Sequence, residues 1–370
     1  MKVVIAHDFI RHGGAERVLE EMHATWPDAP IHTLLSEEPP AYADWEVHSS
    51  WLQGKVPPSR YRWPLPLYPG LVDRLPRRID WDGVDLLVTS SVSFMKNLKA
   101  PPGIPHLCYI HRPAMFVYER QDMFLSGYPA PARPFLRSFT KRFRKWDQDG
   151  ADNPDLYAVN SAYVGGMVKD VYRRESTVLH PPVRTDAFRA AGEEVAPGDY
   201  YLAANRLEGY KRVDLAVEAS NRLGIPLKVA GRGPHVDALK ELAGPQVEFL
   251  GFVPDEELVR LVAGCRGFIL TSLEDFGIAP VEALAAGRPV IALGEGGPAE
   301  TVEDGVTGVH FAAQTVDEVE KAMRRAEELE WDPATIRDSA ERFSAASFRA
   351  GLLALAEELV AQGPGPRRSR

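Results

Sequence analysis

The sequence has little of what would make a disulfide-stapled or metal-built protein. Of 370 residues only two are cysteine, Cys108 and Cys265. Both lie among apolar neighbours and neither sits in a metal-binding or redox spacing, so they read as small buried hydrophobes. No apolar run approaches the roughly 20 residues of a spanning helix. The chain starts on a strand-like run, Val3-Val4-Ile5-Ala6, without the features of a secretory leader. A cytoplasmic protein is the expectation, with peripheral contact to the inner face of an anionic membrane left open. Internal repeats are missing, and so is any G-x-G-x-x-G dinucleotide fingerprint. An excess of positive charge is absent too. The net charge is −9, with 22 Lys+Arg against 21 Asp+Glu in residues 1–180 (+1) and 21 against 31 in residues 181–370 (−10). The acidic second half would repel nucleic acid, which is excluded as a partner, and the near-neutral first half is better suited to an anionic acceptor or membrane surface.

What is present is a chain long enough for two domains, organised around residues 267–300, GFILTSLEDFGIAPVEALAAGRPVIALGEGGPAE. Phe268-Ile269-Leu270 suits a buried parallel strand. Glu274 follows at its C-terminal mouth. Phe276-Gly277-Ile278 makes a turn where glycine lets a ligand approach the backbone. Pro280 fits the first position of a helix, which places Glu282 in that helix's first turn. A strand over 289–293, the corner Gly294 to Gly297 and a helix with Glu300 follow. Two carboxylates and free backbone N–H groups are thereby expected at the C-terminal edge of a parallel sheet, where α/β folds hold polar ligands.

Other segments repeat this strand–turn–helix grammar. Lys2 to Phe9 reads as a buried strand, and Gly13-Gly14-Ala15-Glu16-Arg17 opens a helix that runs to about Trp26. Val84 to Thr89 and His106 to Ile110 are strands, with His111 at the end of the second. Leu156 to Val159 is a strand whose following helix Ser161 can cap. From His180 the Pro/Gly-punctuated stretch to Gly198 reads as an interdomain linker. Tyr200 to Ala203 opens the second domain, and Arg206 and Lys211 bracket the next turn. Leu227 to Ala230 leads into Gly231-Arg232-Gly233-Pro234. Val247 to Leu250, a helix over 255–263 and a strand over 308–312 complete the pattern.

The spacing of Glu274 and Glu282 with FG between them, together with GGAERV, HRP at 111–113, R-x4-K at 206–211 and G-x-G-P at 231–234, resembles the retaining glycosyltransferases of family 4. The elements run from residue 13 to about 350 in family order. The resemblance implies an α/β protein of GT-B architecture, two Rossmann-like doubly wound parallel-sheet domains facing a central cleft. Residues 1–183 would form the N-terminal acceptor-side domain and 199–344 the nucleotide-sugar-binding domain, with a last helix over about 345–362 packing back on the first. It implies transfer of a hexose from a nucleotide sugar with retention at the anomeric carbon. Arg206 and Lys211 would stabilise the departing diphosphate, Glu274 and the backbone at Phe276, Gly277 and Ile278 would hold the sugar, and Glu282 the ribose. His111 would lie beside the reacting sugar, Gly13 and Gly14 would face the diphosphate and the acceptor, and Gly231 and Gly233 would line the nucleotide side. The HRP branch resembles bacterial mannosyltransferases of surface-polysaccharide assembly. GDP-mannose is therefore the expected donor, with a UDP-hexose as the alternative, and a glycan or a polyprenyl-diphosphate-linked oligosaccharide the acceptor. No cofactor and no metal is expected. A non-catalytic sugar-nucleotide-binding regulator is the contrasting reading.

Five further features are read from the residues. Asp80-Trp81-Asp82 spells D-x-D, a metal–diphosphate pattern of a different glycosyltransferase fold, but it precedes a strand and so lies at the wrong edge of the sheet. Asp147-Gln148-Asp149 reads as a polar helix end. Residues 36 to 80, rich in Pro, Trp and Tyr, exclude long helices and central strands, and are either an acceptor- or membrane-facing segment or a packed loop region. Residues 134 to 146 form an amphipathic helix with Phe135, Phe139, Phe143 and Trp146 on one face. That helix is read as core-packed with a solvated basic face, a lipid-surface helix being the alternative. The tail GPGPRRSR is expected to be disordered.

Overall fold

In the computed structural model, residues 1–11, 13–37, 42–57 and 60–365 are described. They divide into two compact units, Met1–Pro181 with Phe348–Arg370, and Pro182–Ser347.

The first unit is built on a seven-stranded parallel sheet. Its strands are β1 (Val3–Ile10), β2 (Ile31–Ser36), β3 (Val47–Ser49), β4 (Leu86–Ser91), β5 (His106–Ile110), β6 (Leu156–Val159) and β7 (Thr177–Val178). The order across the sheet is β3-β2-β1-β4-β5-β6-β7. Because β2 and β3 extend one way from β1 while β4 onward extends the other, the order reverses between β1 and β4, and loops leaving those two strands diverge there. Side chains alternate across the pleat. Val3 and Ile5 of β1 join Val18, Leu19 and Met22 of the helix Gly14–Thr25, whereas Val4 and Ala6 join Phe94, Phe139 and Phe143 on the other face. The last helix, Ala345–Gln362, sets Phe348, Leu352, Ala356 and Leu359 into the first of these layers. The spacing of four, four and three makes one helical stripe. A buried Phe or Leu contributes about 1.5–3 kcal/mol, enough to hold the helix there.

The second unit carries β8 (Tyr201–Ala204), β9 (Leu227–Ala230), β10 (Val247–Gly251), β11 (Gly267–Leu270), β12 (Val290–Leu293) and β13 (Gly308–Phe311). All pairings are parallel, in the order β10-β9-β8-β11-β12-β13. The reversal here lies between β8 and β11. Phe268 and Leu270 face one layer and Ile269 the other, as a strand buried on both sides requires. Both cysteines are buried and unpaired, and burial pushes each thiol up to about 12.

Several segments differ from the sequence reading. The stretch read as a linker contains the helix Thr185–Glu194, whose Phe188 is fully buried in the second unit. Its punctuation marks the helix ends rather than a spacer. Residues 36–80 do avoid long helices and central strands; they hold the short edge strand β3 and the seven-residue helix Tyr68–Arg74. Residues 38–41 and 58–59 of this stretch lie outside the described residues, as do 366–370 of the tail. The amphipathic helix spans Arg133–Asp149, and of its apolar face Phe139 and Phe143 are buried while Phe135 is 65% exposed.

Asp147 is a clearer correction, because it is not a solvated helix end. It is fully buried and pairs with the equally buried Lys96 at 3.0 Å. Tyr118 and Tyr172 donate their hydroxyls to its Oδ2 at 2.7 and 2.9 Å. The helix terminus points inward because it packs over the turn after β4, which supplies the cation, and a buried carboxylate persists only with such partners.

Candidate functional site

The loops after β8 and β11 flank the point where the second sheet reverses direction. After β8 the chain makes a turn over 205–212 pinned by Leu207, which is buried. Leu207 donates to the carbonyl of Arg232 at 3.0 Å and accepts from the N–H of His235 at 3.1 Å. Gly231 and Gly233 permit this approach. A Cβ on Gly231 would stand 1.9 Å from the carbonyl oxygen of Asn205, and one on Gly233 would stand 2.2 Å from that of Leu207. Gly231 also has φ of +132°, which L side chains rarely adopt. The two glycines thus set the backbone from which Arg206 and Lys211 project. Arg206 is exposed, and its side chain makes no hydrogen bond or ion pair among the described residues.

Lys211 lies in the short 3-10 turn Gly209–Lys211. Its Nζ meets Glu274 Oε1 at 2.5 Å, with the two side chains 13% and 21% exposed. Ser272 donates its hydroxyl to the same carboxylate oxygen at 2.5 Å. The Lys211 carbonyl accepts from Thr271 Oγ1 at 3.0 Å, and Gln314 Nε2 donates to the Thr271 carbonyl at 2.7 Å. The loop after β8 is thereby tied to the loop after β11 by a charge pair and a side-chain-to-backbone bond. A carboxylate and an ammonium held side by side present donors for anionic oxygens and an acceptor for hydroxyls.

Glycine-assisted packing recurs on the β11 side. Gly297 donates to the carbonyl of Glu274 at 2.8 Å. A Cβ on Gly296 would lie 2.5 Å from that carbonyl oxygen, and one on Gly297 would lie 2.2 Å from Cα of Phe276. Gly277 caps the following helix with φ of +89°. That helix, Ile278–Ala285, begins two residues before Pro280, so Pro280 is its third residue, not its first. Glu282 accordingly sits in the second turn, and is 6% exposed. The sequence reading misplaced the start because Gly277, through its left-handed backbone, already turns the chain into the helix. Phe276 is buried against Phe343, ring centroids 5.5 Å apart.

The remaining predicted residues belong to the first unit. Gly13 caps the helix Gly14–Thr25, and Glu16 turns back over it, with Oε2 2.8 Å from where a Gly13 Cβ would be. The Glu16 carboxylate also accepts from the backbone of Arg11 at 3.1 Å, and burial raises its pKa. His111, half-buried after β5, has Nε2 2.9 Å from Ser90 Oγ, and its carbonyl accepts from Asn160 at 3.0 Å. Burial first, and then the charge of nearby His7, push its pKa down to about 3, so the ring is neutral near pH 7. Arg112 is engaged by Glu119 at 2.6 Å.

Sequence reasoning missed Asp8. This fully buried carboxylate at the end of β1 accepts from the backbone N–H groups of Val92, Ser93, Phe94 and Met95 at 2.5–3.2 Å. It shapes the loop that leaves β4 beside Ser90 and Ser91. Burial lifts its pKa to about 6 despite those four donors. Thr271, Ser272 and Gln314 were missed as partners as well. A polar pair ending an apolar strand was the available signal for the first two, and Gln314 carried none. Among the described residues no three His, Cys, Asp or Glu side chains gather as a metal site.

Residues 12–187 match the family described as Glycosyltransferase Family 4, and residues 185–347 match Glycosyl transferases group 1. The chain is similar to the alpha-1,3/1,6-mannosyltransferase ALG2 of Homo sapiens, 27% identical over 260 residues, 59% of each chain. The chain thus spans about three-fifths of that relative's length. The mouse counterpart is 27% identical over 296 residues, covering 69% of this chain and 68% of the relative. Among solved structures, Anabaena Alr3699/HepE in complex with UDP superposes with a TM-score of 0.73 at 18% identity, covering 97% of this chain and all of that one.

Proposed function

Because the chain belongs to the GT-B glycosyltransferases, with a family 4 N-terminal half and a group 1 C-terminal half, we propose that it transfers a hexose from a nucleotide sugar with retention, mannose from GDP-mannose being the favoured donor. The observation that carries this reading is the Lys211–Glu274 pair at the reversal point of the second sheet. The mannosyltransferase names of the relatives support the sugar. UDP in the Anabaena structure favours a UDP-hexose as the second reading.

In the proposed step the bond from the anomeric carbon to the donor phosphate oxygen breaks. The acceptor hydroxyl oxygen bonds to that carbon on the same face, and its proton passes to the departing phosphate. Lys211 has three N–H donors, so it can keep Glu274 and still meet a phosphate oxygen. Arg206, with no side-chain partner among the described residues, brings a second cation to the same diphosphate. Preorganised charge of this kind is worth most where it meets charge that grows in the transition state. Glu274, with Gly277 and Ile278 N–H, would hold sugar hydroxyls, and Glu282 the ribose. Neutral His111 would hydrogen-bond near the reacting sugar. The acceptor is a glycan or a polyprenyl-diphosphate-linked oligosaccharide at the inner face of the membrane, and turnover needs no divalent metal.

A thermal-shift screen of GDP-mannose, GDP, UDP-glucose and UDP tests the donor, followed by donor consumption with and without a glycan acceptor in EDTA. Stabilisation by GDP-mannose and acceptor-dependent consumption are expected. Stabilisation by uridine nucleotides alone would move the assignment to a UDP-hexose. Binding without turnover on any acceptor would leave only the regulator reading.

A further inference from the structure

The first unit contains a cavity of about 440 Å³ between β2–β3 and the helix Tyr68–Arg74. Its lining divides by exposure. Leu34, Val47, Leu71 and Leu75 are buried or half-buried apolar side chains, whereas Trp51, Arg74 and Arg78 are exposed. Arg74 and Arg78 are four residues apart along one helical run, so they share a face. The Ser49 hydroxyl in the lining is buried without a hydrogen-bond partner among the described residues.

The surrounding segment is unusual for an acidic protein. Residues 51–78 hold six Lys and Arg and a single acid, Asp73. That acid is occupied by Trp146 Nε1 at 3.0 Å. None of the six cations makes an ion pair among the described residues. Lys55 lies over the Trp51 ring at 4.8 Å and Arg60 over Trp63 at 4.3 Å. Trp63 is 69%, Leu67 50% and Trp51 47% exposed. Unpaired cations alone would suit any polyanion. Cations beside exposed indoles and above an apolar cavity suit a partner that is anionic at its surface and apolar just beneath. Indole rings favour that boundary, and basic clusters are drawn to anionic headgroups.

We propose that this face of the first unit docks on an anionic phospholipid bilayer, with a headgroup phosphate at Arg74 and Arg78 and apolar lipid entering the cavity beside Trp51. The proposal does not depend on the donor or the transfer step, and its test measures binding without turnover. Its chemistry also differs from that of the helix Arg133–Asp149, whose residues do not line this cavity.

The test is co-sedimentation of the full chain with phosphatidylcholine vesicles, and with vesicles that also contain phosphatidylglycerol. Binding only to the second kind is expected, and it should fall at about 1 M salt, where screening shortens to about 3 Å. Each basic residue near such a surface contributes about 1 kcal/mol. The double variant Arg74→Ala/Arg78→Ala should therefore partition about 30-fold more weakly, and Trp51→Ser should weaken binding that salt does not abolish. Unchanged thermal melting of these variants establishes that they are folded. If melting falls, Arg74→Gln/Arg78→Gln serves in their place. Equal sedimentation with both vesicle types, or undiminished binding by the folded double variant, overturns the proposal. Displacement from vesicles by free inorganic phosphate at matched phosphate concentration would overturn it in favour of a soluble ligand. Tighter binding to a single-stranded oligonucleotide would overturn it in favour of nucleic acid.

Discussion

Replacing Lys211 by alanine removes the cation that ties the two loops of the second unit and leaves the Glu274 carboxylate with the Ser272 hydroxyl alone. Exposed ion pairs contribute at most about 1 kcal/mol, and breaking a fully buried one costs about 3–5 kcal/mol. With side chains 13% and 21% exposed, this pair lies between those limits, and a loss of about 2 kcal/mol is expected. The effect on chemistry should be larger. Removing one preorganised donor to developing charge lowers kcat by about 10²–10³-fold, and Lys211 is such a donor if the diphosphate leaves beside it. The two effects separate in a double variant. Lys211→Ala with Glu274→Gln removes the stranded charge, so stability should recover while turnover stays low. Urea melts measure the first and donor consumption with acceptor the second. A Lys211→Ala enzyme with turnover like the parent would refute the leaving-group role. Stability that did not recover in the double variant would refute the account of the stranded carboxylate.

Gly231→Ala should destabilise the second unit by several kcal/mol and abolish donor binding, since its Cβ would collide with the Asn205 carbonyl at 1.9 Å where φ is already +132°; Gly166→Ala, with no heavy atom within 4 Å of the new Cβ, is the control, and thermal melts compare them. Acid should weaken the first unit early. Burial holds His7 and His32 near pKa 4 and His111 near 3, so between the folded values and the unfolded value near 6.5 the unfolded chain binds more protons. Their stabilising effect is whole above about pH 6.5 and fades as pH falls. Asp8 works the other way, because its raised pKa makes the folded state take a proton near pH 6. From pH 7 to about 5.5 the three histidines cost about 1.2 kcal/mol each and Asp8 returns about 0.8, a net loss of about 3 kcal/mol. Urea midpoints measured across that range read it, and a flat profile would contradict the burial of these rings.

Local pattern alone located most of the strands, and with them the chain order of the site. Apolar runs of three or four residues announced β1, β5, β6 and β11, and Ser161 was legible as a cap because its neighbours in sequence are its partners, with Val164 N donating at 3.1 Å. The regular alternation of strand, glycine turn and helix was legible along both halves, and the resemblance to family 4 implied the doubly wound GT-B class. Tertiary structure decided the rest, through contacts between residues far apart in the chain. Lys211 and Glu274, separated by 63 positions, become a pair because β8 and β11 are adjacent at the sheet reversal. Gly231 and Gly297 are glycines because of the backbone of another loop, which their own neighbours do not reveal. Asp147 looks like a solvated acid until Lys96, 51 residues earlier, is folded against it. Periodicity records which face of an element is buried; the partner across that face is chosen only when strands order themselves into a sheet.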